Sequence, residues 1–257
     1  MFLLKIWGNI IIWEFIYINY KRNILHSLNT NEERLDFLKY FYKYLDENEL
    51  EVQAAALHSF KIVGKFIPSE HIEKEVIPRL NENFLKPLSA ATQNQQNNTN
   101  MMNQQAMFNV NGPSDVVIKN QILAENLMYM GVNLTQEAVK KLLVPVFDVL
   151  LTSQFPEIRI KLFEQPQLLI KIFGNSSLLD IVKKEFSKLI QDPNWRVRNQ
   201  GLHLLDLFSN AFNDNLLEDN DILNKINDCL GDQVIYYIHT FIKRYSKSKS
   251  ALLTVLY

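Results

Sequence analysis

Five histidines, His26, His58, His71, His203 and His239, have the widest chemical reach in this chain, but their spacing does not use it. None stands in the His-x3-His or His-Glu-x2-His arrangement that places two imidazoles on one helix face around a metal. Cys229 is the single cysteine, so neither an intramolecular disulfide nor a cage of several thiolates can form. It lies in Asn-Asp-Cys-Leu, on a helical face, and is expected to be a buried thiol. No Gly-x-Ser-x-Gly elbow, phosphate loop or dinucleotide fingerprint occurs. The carboxylates are scattered over helix surfaces, where any two can be paired on paper. These patterns predict a protein that is not an enzyme, with no catalytic residues, no metal and no cofactor.

One segment does hold recognition chemistry: Asp192-Pro193-Asn194-Trp195-Arg196-Val197-Arg198. Tryptophan and arginine are enriched at binding hot spots, because each carries a large contact area and a polar handle. Trp195 and Arg196 are therefore the candidate partner-binding residues, at a turn between two helices. The competing reading is that Trp195 staples the turn while Arg196 stands in solvent.

The elements that position this segment follow from composition and periodicity. Of 257 residues, 47% are apolar and only 7 are glycine. A chain this long buries a sizeable core without staples. Its few glycines leave little room for phosphate loops or glycine-rich β-turns. Lys and Arg number 27 against 28 Asp and Glu, a net charge of −1. Such a balance argues against a broad electrostatic grip on nucleic acid or on an anionic membrane.

A repeat is legible. Glu51-Val52-Gln53, Ile118-Lys119-Asn120, Glu157-Ile158-Arg159 and Arg196-Val197-Arg198 each set a branched apolar residue before a long polar one. Ile118, Ile158 and Val197 stand 40 and 39 residues apart, a register that turns all three inward, and Tyr237 lies 40 further on. Val52 lies 66 before Ile118, a surplus of about 27 that falls in the Gln/Asn/Met-rich run ending near Pro113. Pro78 and Pro145 keep the same register in the first helix of their units. Within each period, 3.6-residue spacing predicts two amphipathic helices: 31–46 and 50–66, 69–87 and 115–130, 136–152 and 156–173, 177–191 and 195–212, 219–230 and 232–245. Leu35, Leu38, Tyr42 and Leu45 form the apolar face of the first. Pro166 should kink the helix over 156–173. Gly64, Gly131 and Gly174 sit near helix C-termini, where glycine can turn left-handed. A period near 40 with two helices predicts an all-α fold, a HEAT-repeat α-solenoid of about five antiparallel helix pairs.

The expected organisation is an apolar segment over 1–30, the repeat array over 31–245, and a tail over 246–257. The array is interrupted by a disordered Gln/Asn-rich insertion over 89–113. Residues 1–20 read either as a helix packed on the first repeat or as a membrane anchor that Glu14 opposes. The basic-then-apolar end lacks a polar cap on the last repeat, as expected of a piece cut from a longer array.

Residues 51–56, 155–161 and 194–198, with Leu-Val-Pro-Val-Phe ahead of Pro156, resemble successive repeats of the scaffold (A) subunit of protein phosphatase 2A. The resemblance covers about 31–240, and its most specific part is Trp-Arg-Val-Arg one period after Pro-Glu-Ile-Arg. It implies a non-catalytic horseshoe whose turns hold a phosphatase catalytic subunit and an exchangeable regulatory subunit, in the cytoplasm and also the nucleus. Under it, Trp195 and Arg196 fall at the catalytic-subunit contact. Arg159 and Arg198 fall on stacked arginine positions that tie neighbouring repeats through acidic partners, Asp192 among them. The chain departs from that family in its short array, in Lys184 where other units carry proline, and in the insertion. The alternative is another HEAT-type adaptor, for transport or trafficking, tethered to a membrane through residues 1–20.

Overall fold

The structure, a computed structural model, describes residues 31–99, 114–212 and 220–228. Among these the fold is all-α, with no strand. The segments are α1 (Asn31–Leu45), α2 (Leu50–His58), α3 (Phe60–Val63), α4 (Ser69–His71), α5 (Ile77–Leu80), α6 (Lys86–Thr99), α7 (Asp115–Asn126), α8 (Gln136–Ala138), α9 (Val144–Leu151), α10 (Pro156–Leu162), α11 (Pro166–Phe173), α12 (Asn175–Ile190), α13 (Trp195–Ala211) and α14 (Asn220–Asp228). Residues 64–66 and 127–133 are 3₁₀ turns. The chain divides into two compact units, Met1–Gln154 and Phe155–Tyr257. The division falls between the two helices expected to form the third pair.

Prolines shape the first unit. Pro78, Pro87 and Pro145 all sit inside helical runs, where a proline removes one donor and crowds the carbonyl four residues back. Each follows a π-helical turn, Ile72–Val76, Asn81–Leu85 and Val139–Leu143. In each, the residue before the proline donates its N–H five residues back: Ile77 to Ile72, Lys86 to Asn81, Val144 to Val139. The wider turn gives the ring room without ending the helix. It also sets the buried face. Ile72, Val76, Leu80, Phe84 and Leu88 recur every four residues and are all at most 2% exposed. At 3.6 residues per turn that stripe would rotate by roughly 40° per repeat; the π turns hold it on one side. So 69–99 is one continuous run of helical turns. It reaches Thr99, beyond the expected end at 87 and into the insertion expected to be disordered over 89–113. Ser89 and Thr92 donate to the carbonyls of Leu85 and Leu88, which keeps both hydroxyls within the helix.

The runs of this unit pack on one another. α2 lies on α1 and on α7, while the π turn at 81–85 meets α9. Phe41 and Phe60 meet edge to face, with ring centroids 5.4 Å apart. Tyr42 is buried, its hydroxyl 3.5 Å from His71 Nδ1. The Arg79 guanidinium lies over its ring and pairs with Glu75 and Asp46. Gly64 does not turn left-handed as expected: its φ is −52°, and it serves close approach instead. A Cβ there would stand 3.0 Å from the Tyr129 carbonyl carbon, so the two 3₁₀ turns touch backbone to backbone. Among the described glycines only Gly174 has positive φ, 79°.

In the second unit Pro166 breaks the expected helix into α10 and α11 rather than kinking it. α13 packs on α10, α11 and α12, and α14 packs on α12. Phe163, Phe208 and Phe212 form the aromatic centre. The second helix of the expected fifth pair, residues 1–30, the tail, and His26, Cys229, Tyr237 and His239 lie outside the described residues.

Two measurements check this packing. Phe84→Ala should cost about 3–5 kcal/mol in urea unfolding, as deletion of a wholly buried ring does; a loss under about 1 kcal/mol would contradict the stripe. Burial, helped by the charge of Glu75 and opposed by that of Arg79, pushes the Tyr42 hydroxyl well above its ordinary value of 10.0. A proton held more tightly in the folded chain stabilises fully below about pH 10, and that stability is lost as pH rises beyond it. Tyr42→Phe should therefore lose less melting temperature than wild type between about pH 9.5 and 11. Parallel curves would contradict the burial of that hydroxyl.

Candidate functional site

The segment singled out by its chemistry is a turn fixed from beneath. Asp192 Oδ1 accepts a hydrogen bond from the Asn194 backbone N–H at 2.8 Å. Asn194 then caps α13, its Oδ1 accepting from the Arg196 backbone N–H at 3.0 Å. Arg198 reaches back and donates through Nη1 to the carbonyls of Asp192 at 2.6 Å and Pro193 at 2.9 Å. Val197, expected inward, is 4% exposed and anchors the helix start in the core. Gly201, one turn along, lets α13 approach Leu189 and Ile190 of α12 closely.

This foundation turns Trp195 and Arg196 outward. Trp195 is 51% exposed, and among the described residues only it and Val149 are large apolar side chains counted as exposed. The Arg196 guanidinium lies 5.1 Å from the indole centroid, a cation–π contact. Trp195 is thus not the staple of the turn; Arg198 and Asn194 do that work.

Asp192 acts here through its carbonyl and through an Asx turn, whereas the carboxylate paired with Arg159 is that of Glu185. Arg159 Nε donates to Glu185 Oε1 at 2.5 Å, and Lys188 Nζ lies 2.9 Å from Oε2. Both partners of the first contact are shielded, the Arg159 side chain 12% exposed and that of Glu185 2%. The pair ties α10 to α12. Sequence reasoning missed Glu185, although its position carried a signal. Leu178, Val182, Phe186 and Leu189 form the buried stripe of α12, and Glu185 is a carboxylate placed on it.

The repeat register needs one correction. Val52, Val117, Ile158 and Val197 each occupy the third residue of their helix, so the inward position of α7 is Val117 rather than Ile118. Val117 is 4% exposed, while Ile118 is half-buried. The next position carries Gln53, Ile118, Arg159 and Arg198. Gln53 is buried and donates to the Leu45 carbonyl at 3.0 Å.

Elsewhere, His58 meets buried Asn126, and His203 is exposed. Among the described residues no group of three His, Cys, Asp or Glu side chains is placed to hold a metal, and no described helix is long and apolar enough to cross a membrane. Residues 1–20 lie outside the described part. No protein-family model matches the chain, and no curated protein matches it.

The Glu185 pairing is open to a stability cycle. Glu185→Ala, which removes the buried carboxylate shared by the shielded Arg159 and by Lys188, should cost about 3–5 kcal/mol. The double replacement Arg159→Met with Glu185→Leu should recover most of that loss in the same urea titration. Equal losses in both proteins would mean the pair does not act as a unit.

Proposed function

We propose that this chain is a non-catalytic scaffold, a HEAT-type α-solenoid of about five helix pairs. It holds a Ser/Thr protein phosphatase catalytic subunit together with a regulatory subunit through the turns between paired helices. The observation that carries this reading is Trp195, half exposed on a turn whose backbone is fixed by Asn194 and Arg198. A large aromatic left in solvent adds little to the fold, but in a partner's pocket it becomes an anchor. Further support comes from a branched apolar residue that recurs as the third residue of four helices, Val52, Val117, Ile158 and Val197. The Arg159–Glu185 pair between α10 and α12 suits the stacking role implied by the resemblance. A short repeat array draws its stability from interfaces between neighbours, so a partner laid along the turns would stabilise it as well.

The test is a titration of the recombinant chain with a protein phosphatase 2A catalytic subunit, beside Trp195→Ala. Truncating a hot-spot tryptophan should weaken binding by about 2 kcal/mol or more, with helicity by circular dichroism unchanged. A change under about 0.5 kcal/mol removes Trp195 from the contact. No binding by either protein rejects the phosphatase reading.

A further inference from the structure

Resting on the scaffold reading, we propose that Arg196, laid on Trp195, is a carboxylate reader: the partner seats an Asp or Glu side chain on its guanidinium edge and an apolar side chain against the indole. The other arginines described with their side chains are engaged within the fold. Arg79 pairs with Glu75 and Asp46, Arg159 with Glu185, and Arg198 bonds the carbonyls of Asp192 and Pro193. The Arg196 guanidinium instead lies against the Trp195 ring at 5.1 Å, with the residue exposed.

The chemistry of the guanidinium decides what it can bind. Its central carbon stands 5.1 Å from the indole centroid, and the planar group carries a fork of N–H donors. That fork matches the two oxygens of a carboxylate. The electrostatic setting agrees. From Pro193 to Leu205 the chain holds no carboxylate, and its exposed members are Pro193, Asn194, Trp195, Arg196, Gln200 and His203. The acid nearest in sequence, Asp192, has its Oδ1 on the Asn194 N–H. Phosphate is the other ligand with suitable oxygens, but it is usually gathered by several cations. Here Arg198 is turned to the backbone, so the turn offers one guanidinium, suited to a single negative charge.

The test titrates the catalytic subunit with wild type, Arg196→Lys, Arg196→Gln and Arg196→Glu at low and moderate salt. Arg196 is exposed, so the variants should keep the wild-type melting temperature. Binding should fall in the order Arg, Lys, Gln, Glu, with Arg196→Gln weaker than wild type by about tenfold or more. Its salt dependence should be shallower than that of wild type. Prior treatment of the catalytic subunit with a nonspecific alkaline phosphatase should change nothing. If Arg196→Gln binds within about twofold of wild type while Trp195→Ala does not, the carboxylate assignment is wrong and the scaffold reading stands. Equal affinity of the Gln and Glu variants would make the acceptor uncharged, and loss of binding after phosphatase treatment would make it a phosphate; either overturns the proposal. Absence of any wild-type binding overturns both readings together.

Discussion

A short helix leaves its last carbonyls without partners, and a chain built of many short helices meets that demand repeatedly. Here the acceptors near helix ends are supplied by side chains from other helical runs. Leu45 O, closing α1, receives Gln53 of α2 and Asn83 of the π turn at 81–85. Lys65 O receives Asn133 from 68 residues away; inside the 69–99 run, at the π turn, Phe84 O likewise receives the buried Asn120 at 3.1 Å. In the second unit Arg198 serves the carbonyls of Asp192 and Pro193 after α12. Each such bond is worth only about 1 kcal/mol net, but an unpaired buried carbonyl costs more than that, so the donors fix where one helix can sit on another. The candidate site is a related case, since the Arg198 guanidinium that satisfies two turn carbonyls also holds the turn displaying Trp195.

The prolines act on the same problem from inside the helices. A proline in mid-helix removes a donor, yet three of them recur where the buried stripe repeats every four residues. Winding and packing therefore support one another: the π turn accommodates the ring, and the ring holds the turn wide enough to keep Phe84 and Leu88 facing inward. Leu143, Phe147 and Leu150 follow the same logic around Pro145. Lys184 occupies the corresponding place in α12, which is an unbroken α-helix of 16 residues.

Periodicity made the helices legible because burial repeats with the helical turn. Val197 inward and Trp195 at the start of a helix both follow from that alone. The one-residue slip at Ile118 shows the limit: Val116-Val117-Ile118 offers three branched apolar residues in succession, and only the start of α7 at Asp115 selects Val117. Sequence spacing runs on through Pro166 and so predicts only a kink; at the first position of a new helix the ring fits without distortion, so a break satisfies it better. The Gln/Asn-rich run looked unfolded by composition, yet Ser89, Ala90, Ala91 and Thr92 continue a helix already nucleated and packed upstream. Glu185 was passed over because a carboxylate on an apolar stripe reads as an exception, although its partner Arg159 had already been singled out.

The exposure of Trp195 bears on function through what it lacks. An indole packed into the turn would strengthen the helix start, yet Trp195 is 51% exposed. Instead the turn is completed by polar groups, the Asp192 carboxylate, the Asn194 amide and the Arg198 guanidinium, none of which needs the tryptophan. Its only described ring contact is with Arg196, itself exposed. Stability and display are thereby separated: buried and backbone-directed groups hold the turn, and the two side chains above it stand exposed. Conformational entropy favours the same division, because a side chain already held against its neighbour has less freedom to lose if a surface covers it.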